Sequence, residues 1–85
     1  MKYIIFKGHG CYHPVLFADH TTHSQIKLEG CTPVSAGFVK FGKLGFPQVY
    51  GNSESLKLKS RGEEDESIIR NWQMNMCTSS FLVYE

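Results

Sequence analysis

The chain has 85 residues, 41% of them hydrophobic and 20% charged, with a net charge of +1. Such a composition supports a packed core and argues against disorder. The length fits one domain over residues 1–85 and excludes a TIM barrel or a complete dinucleotide-binding fold. Near-neutral charge removes the overall electrostatic footprint of a nucleic-acid binder, although residues 1–60 carry seven lysines against three acids and residues 61–85 two arginines against five acids.

In chain order, Lys2–Lys7 reads as a first strand. Its continuous run Tyr3-Ile4-Ile5-Phe6 suggests burial on both faces. Gly8-His9-Gly10 breaks it, and extended structure resumes at Pro14-Val15-Leu16-Phe17, giving a hairpin with a loop of about six residues. Thr21 or Thr22 can cap a short helical turn. Residues 25–29 alternate with period two, with Ile26 and Leu28 on one face, and so predict another strand. Pro33 opens the strongest strand pattern, running to Phe41, with Val34, Ala36, Phe38 and Lys40 on one side. Gly37 in its middle marks a bulge or the close approach of another group.

Gly42–Pro47 is a connection, and Gln48–Gly51 returns as a partner strand. Residues 55–59 alternate cleanly, with Leu56 and Leu58 inward, and continue that strand beyond a kink at Asn52-Ser53. Ser60-Arg61-Gly62-Glu63 has the form of a capping box. The acids 63–66 then suit the positive end of a helix dipole, and the periodicity predicts a helix over residues 61–75. Its apolar arc is Ile68, Ile69, Trp72 and Met76, with Glu66 and Arg70 as an i,i+4 pair. Phe81–Tyr84 reads as a last strand. Strands and helix are segregated along the chain. The expected fold is therefore two-layer α+β: a mostly antiparallel sheet of about four to six strands, packed on one helix and open on its reverse face.

The three cysteines, Cys11, Cys31 and Cys77, form no even disulfide framework. The N-terminal apolar run is short for a signal peptide, and no stretch is long enough to span a bilayer. A reducing, cytoplasmic setting is expected. Cys11, His13, His20 and His23 supply zinc-type donors, but their spacing is not that of paired zinc knuckles, and an intervening strand would separate them. No metal or other cofactor is expected. Cys11 near His13 is the minimum for a thiol nucleophile, yet a single sheet with one helix rarely encloses a catalytic pocket, so an enzyme is not expected. Gly8-His9-Gly10 lacks the lysine and the helix of a phosphate loop.

Lys40, Phe41, Lys43, Lys57 and Lys59, with aromatic rings among them, resemble a single-strand nucleic-acid platform without any RNP, KH or helix-turn-helix pattern. Leu44, Phe46, Tyr50 and Met74 exceed what one helix and one sheet face need. They mark a contact with another protein or a second copy of the chain, and free strand edges offer a further template.

Pro14–Phe17, His23, Pro33–Phe38, Gly51-x-Ser53-x-Ser55-Leu56, Ser60-Arg61, Asp65 and Ile68 resemble short uncharacterised proteins of bacteriophages and prophages over about residues 14–69. Gly62 stands where that pattern would place a proline. The resemblance implies an accessory protein acting by binding, and it brings no catalytic residue. The sequence thus favours a non-enzymatic protein-binding module, self-association included, over single-stranded nucleic-acid binding, and over a zinc-stabilised domain third.

Overall fold

The structure is a computed structural model describing residues 1–75 and 82–84. Strand β1 (Lys2–Gly8) lies at the centre of a sheet with β2 (Cys11–Phe17), β3 (Thr32–Phe41), β4 (Pro47–Tyr50) and β7 (Leu82–Tyr84), in the order β4-β3-β1-β2-β7. All neighbours are antiparallel except β7, which pairs parallel with Val15–Phe17 of β2. A second, two-stranded sheet joins β5 (Asn52–Ser53) to β6 (Leu58–Lys59), and one helix, α1, spans Glu63–Asn75. The expected α+β class is what forms.

The first hairpin is tighter than the predicted six-residue loop. Gly8 pairs with Cys11, so only His9 and Gly10 turn, with φ of 55° and 78°. Two positive-φ residues make the primed turn that matches strand twist, and Gly10 adopts it without cost. Alternation from that turn leaves Pro14, opposite Ile5, with its nitrogen aimed away from β1. Among the described residues β7 pairs from Val15 onward, so the missing donor of Pro14 interrupts none of the described ladder.

Both faces of the sheet are covered, which corrects the expectation of an open reverse side. On one face Tyr3, Ile5, Leu16 and Val39 pack with Ile69 of α1, and Val34, Val49 and Ile68 surround them. On the other face Ile4, Phe6, Val15, Phe17 and Ala36 lie beneath Ile26, Leu28, Cys31, Leu56 and Leu58. Residues Tyr3 to Phe6 are consequently at most 2% exposed. The cover is irregular. Segment 25–29 is not a strand: a 3-10 turn (His23–Gln25) follows Thr22, and loop backbone carries Ile26 and Leu28 inward. Residues 54–57 turn instead of extending β4, with Lys57 at φ 56° and its N–H on the Glu54 carbonyl, so that β6 folds back on β5. Leu56 and Leu58 still point inward, because burial follows the side chains whichever way the backbone pairs.

The β1–β3 register shifts between Ile5 and Phe6, whose partners are Ser35 and Pro33. Val34 is therefore the extra residue of a bulge and turns to the helix side, away from Ala36. Gly37 is the close approach anticipated from sequence. A Cβ there would stand 2.6 Å from the Tyr50 carbonyl oxygen and 3.3 Å from Ser60 Cβ. Gly37→Ala is expected to destabilise by about 1–3 kcal/mol, the usual cost of overpacking, read as a lower urea midpoint at unchanged m-value.

The helix begins at Glu63 rather than 61. Gly62 offers the first carbonyl to the Glu66 N–H, and Asp65, not Glu63, reaches back, accepting the Arg61 N–H at 2.9 Å. Glu66 and Arg70 do not pair: Glu66 accepts the Val49 N–H at 2.9 Å, and Arg70 lies 3.8 Å over the Phe46 ring. Trp72 is only half-buried. Its indole N–H donates to the Tyr12 carbonyl at 3.1 Å, on the β2 edge ahead of the described β7 pairing. Met76, Cys77 and Phe81 lie outside the described residues.

Candidate functional site

Among the predicted contact residues, Leu44, Phe46 and Met74 come from two elements held side by side. The 42–46 connection closes with the Gly42 N–H on the Phe46 carbonyl, and its tip exposes Leu44 by 80%. Gln73 donates to the Gly45 carbonyl at 3.3 Å, and the Arg70 guanidinium stacks on Phe46, so the connection is tied to α1 beside Met74, which is 67% exposed. Between the two elements runs a groove of about 400 Å³ lined by Phe46, Pro47, Gln48, Glu63, Glu66 and Arg70. Tyr50 is not part of this shoulder. It pairs with Phe38, stacks on its ring at 5.6 Å, and lies on the opposite face of the sheet.

The outer edge of β4 gives no template for an added strand. Val39 sends its N–H to the Met1 carbonyl, away from β4, so its partner Val49 faces outward. That outward N–H is occupied by Glu66, and two residues earlier Pro47 has no N–H to give.

The five nucleic-acid candidates fall on separate surfaces. Lys40 lies 6.0 Å over the Tyr50 ring, while Phe41 alternates to the other face of β3. Lys43 belongs to the 42–46 connection, and Lys57 and Lys59 are exposed on the β5–β6 cover.

The zinc-type donors are also apart. Cys11 Sγ lies 3.4 Å from His13 Nε2, which itself lies 3.1 Å from the Gly8 carbonyl oxygen, and Trp72 meets His13 edge-on. His20 is exposed in a turn. His23 is buried, donates through Nε2 to the Gly37 carbonyl at 2.9 Å, and meets Phe17 and Phe38 edge-on. Among the described residues no three His, Cys, Asp or Glu side chains are placed to hold a metal ion.

Burial, aided by the nearby Lys2 charge, lowers the pKa of His23 and favours its neutral form, against the opposing pull of its bond to Gly37. His23 lines a cleft of about 570 Å³ with Lys2, Thr22, Phe38, Asn52, Glu54 and Ser55. The sequence offers His23 as a zinc-type donor and as one residue of the phage-type pattern, and neither predicts a buried imidazole. The signal that could have placed it is the aromatic pair Phe17 and Phe38 on the two strands that flank it.

The most connected polar group is Asp65, fully buried beneath the sheet. It accepts from the Tyr3 hydroxyl, from Ser35 Oγ at 2.8 Å and from both the backbone N–H and Nε of Arg61 at 2.9 Å. Burial, and then the bond to this carboxylate, raise the Tyr3 pKa above the ordinary phenol range. The donors to Asp65 come from β1, β3 and Arg61 just ahead of the helix, and the carboxylate is closed to solvent, so this is a brace between sheet and helix. Among the described residues no helix is long and apolar enough to cross a membrane. Comparison with protein-family models, with curated proteins and with solved structures finds no match.

Proposed function

We propose that the chain is a non-enzymatic binding module whose partner is a second copy of itself, met through the Leu44–Phe46–Met74 shoulder. The observation that carries this reading is an exposed apolar knob, Leu44, on the same short connection whose Phe46 lines the groove with Arg70. A two-fold contact requires a self-complementary patch, and a knob adjoining a groove meets that need: Leu44 of each copy enters the groove of the other. Charge agrees with shape. Lys43 and Arg70 lie at the shoulder together with Glu63 and Glu66, so opposite signs can meet across the two-fold axis. With both faces of the sheet covered and the β4 edge blocked, the shoulder replaces the open sheet as the docking surface. The resemblance to short phage proteins is in keeping with an accessory role of this kind.

Sedimentation velocity over a concentration series tests the proposal. A monomer–dimer equilibrium is expected, and Leu44→Asp should weaken it by about tenfold or more, as loss of a buried anchor does. Far-UV circular dichroism should not change, because Leu44 contributes nothing to the monomer core. A monomer at every concentration, or a dimer indifferent to Leu44→Asp, overturns it.

A further inference from the structure

The cleft formed by Lys2, His23, Phe38, Asn52, Glu54 and Ser55 lies apart from the shoulder, and among the described residues no element fills it. Its chemistry is specific. His23 is 4% exposed, and its Nε2–H is committed to the Gly37 carbonyl. A carbonyl only accepts, so Nε2 carries the proton and Nδ1 is left as an acceptor with no hydrogen-bond partner among the described residues. Nδ1 is not one of the enclosed, unpartnered side-chain atoms of the described residues, so the small exposed part of His23 leaves this acceptor open on the cleft that His23 lines. Lys2 lines the same cleft. Its ammonium is held in place by one bond, to the Thr21 carbonyl at 2.9 Å, leaving two further N–H donors. The aromatic wall is Phe38, backed by Tyr50 with the two rings inclined by only 21°. Glu54 also lines the cleft, and its negative charge opposes a phosphate there.

An acceptor beside a donor, next to an aromatic ring, matches one common edge: the N–H adjoining C=O of a lactam in a flat heterocycle. We propose that this cleft binds the lactam edge of a neutral planar heteroaromatic of the uracil type, the ring N–H donating to His23 Nδ1, the carbonyl accepting from Lys2, and the ring resting on Phe38. Asn52 and Ser55 supply polar contacts for substituents such as sugar hydroxyls. Preservation of the neutral imidazole by burial is consistent with an acceptor role at neutral pH.

The test is a titration of the full chain with uridine, cytidine and N3-methyluridine, followed by backbone and imidazole NMR shifts. Uridine should perturb His23, Phe38, Asn52 and Ser55. N3-methyluridine, which has no N–H to give, and cytidine, which presents an acceptor at that position, should bind about tenfold more weakly or worse, the effect of one lost or repelled hydrogen bond. Because His23 packs between two rings and its variants can unfold, Lys2→Met is the informative substitution. It should weaken uridine about tenfold while leaving circular dichroism unchanged. Oligouridylate separates the two sources of the same edge. Shifts that extend to Lys40 and Tyr50 and collapse with salt assign the uracil to a single strand, whereas uridine binding alone assigns a free nucleoside; each supports the lactam edge. Absence of perturbation at millimolar uridine, equal binding of N3-methyluridine, or shifts elsewhere on the chain overturn it.

Discussion

Asp65→Ala is expected to destabilise the protein by about 3–5 kcal/mol, the cost of breaking a buried ion pair from one side. The carboxylate is fully buried, and its two oxygens accept four donors, from Tyr3, Ser35 and Arg61. Removing it leaves a phenol, a hydroxyl and an N–H with no acceptor beneath the sheet, and leaves the inner end of the Arg61 side chain without its partner. Such a loss is a large share of the roughly 5–15 kcal/mol that holds a small domain together. It should appear in urea denaturation as a much lower midpoint, or as failure to fold. Ser35→Ala removes one neutral donor of the four, and should cost only about 0.5–1.5 kcal/mol. A cost for Asp65→Ala no larger than that for Ser35→Ala would mean that the brace contributes nothing beyond a single hydrogen bond.

Ile69→Ala is expected to cost about 2–5 kcal/mol, as large-to-small changes in a packed core do. Ile69 is the one fully buried apolar side chain of α1 among the described residues, and it seats against Tyr3, Ile5, Leu16 and Val39. Ile68 is only partly buried at the border of that cluster, so the helix has no second anchor to close the cavity. Thermal unfolding reads the effect at about 4–8 °C per kcal/mol for a domain of this size. Trp72→Ala should cost less than Ile69→Ala, although the side chain is larger. Trp72 is half-buried and lies over the rim of β2, where truncation opens a site to water and leaves no internal void. The reverse order would place the true helix anchor at position 72.

That contrast shows where the sequence was informative. Periodicity over 61–75 identifies the helix that forms over Glu63–Asn75, and the run Tyr3–Phe6 correctly implies a strand enclosed on both sides. What covers the second side was not legible. Ile26/Leu28 and Leu56/Leu58 alternate as strands do, but alternation records only which side chains point inward. Whether the backbone pairs is decided by turns such as Lys57 at positive φ, for which lysine gives no warning. The Val34 bulge is hidden for a related reason: one inserted residue reverses a face without altering the apolar composition of the strand. In the sequence Asp65 is one acid among four at a helix start. Its partners Tyr3 and Ser35 are 62 and 30 residues away in the chain, so no local pattern could single it out.

At the shoulder, exposure of Leu44 and Met74 was foreseeable from their surplus over the core, whereas separation of Tyr50 from them depends on which face of β3 Phe38 occupies. The cleft is least legible of all. It joins residues 2, 22, 23, 38, 52, 54 and 55, and its specificity rests on a protonation pattern set by a backbone carbonyl.

Glu66 and Pro47 along β4 carry a consequence for solubility. Fibrillar aggregates grow by stacking one backbone ladder onto another, and a growing ladder needs free donors at its tip. On this flank one donor is chemically missing and the next is already spent on a carboxylate from the helix. Addition from that flank would first have to evict a charged side chain, so concentrated solutions of the folded protein should resist nucleation there.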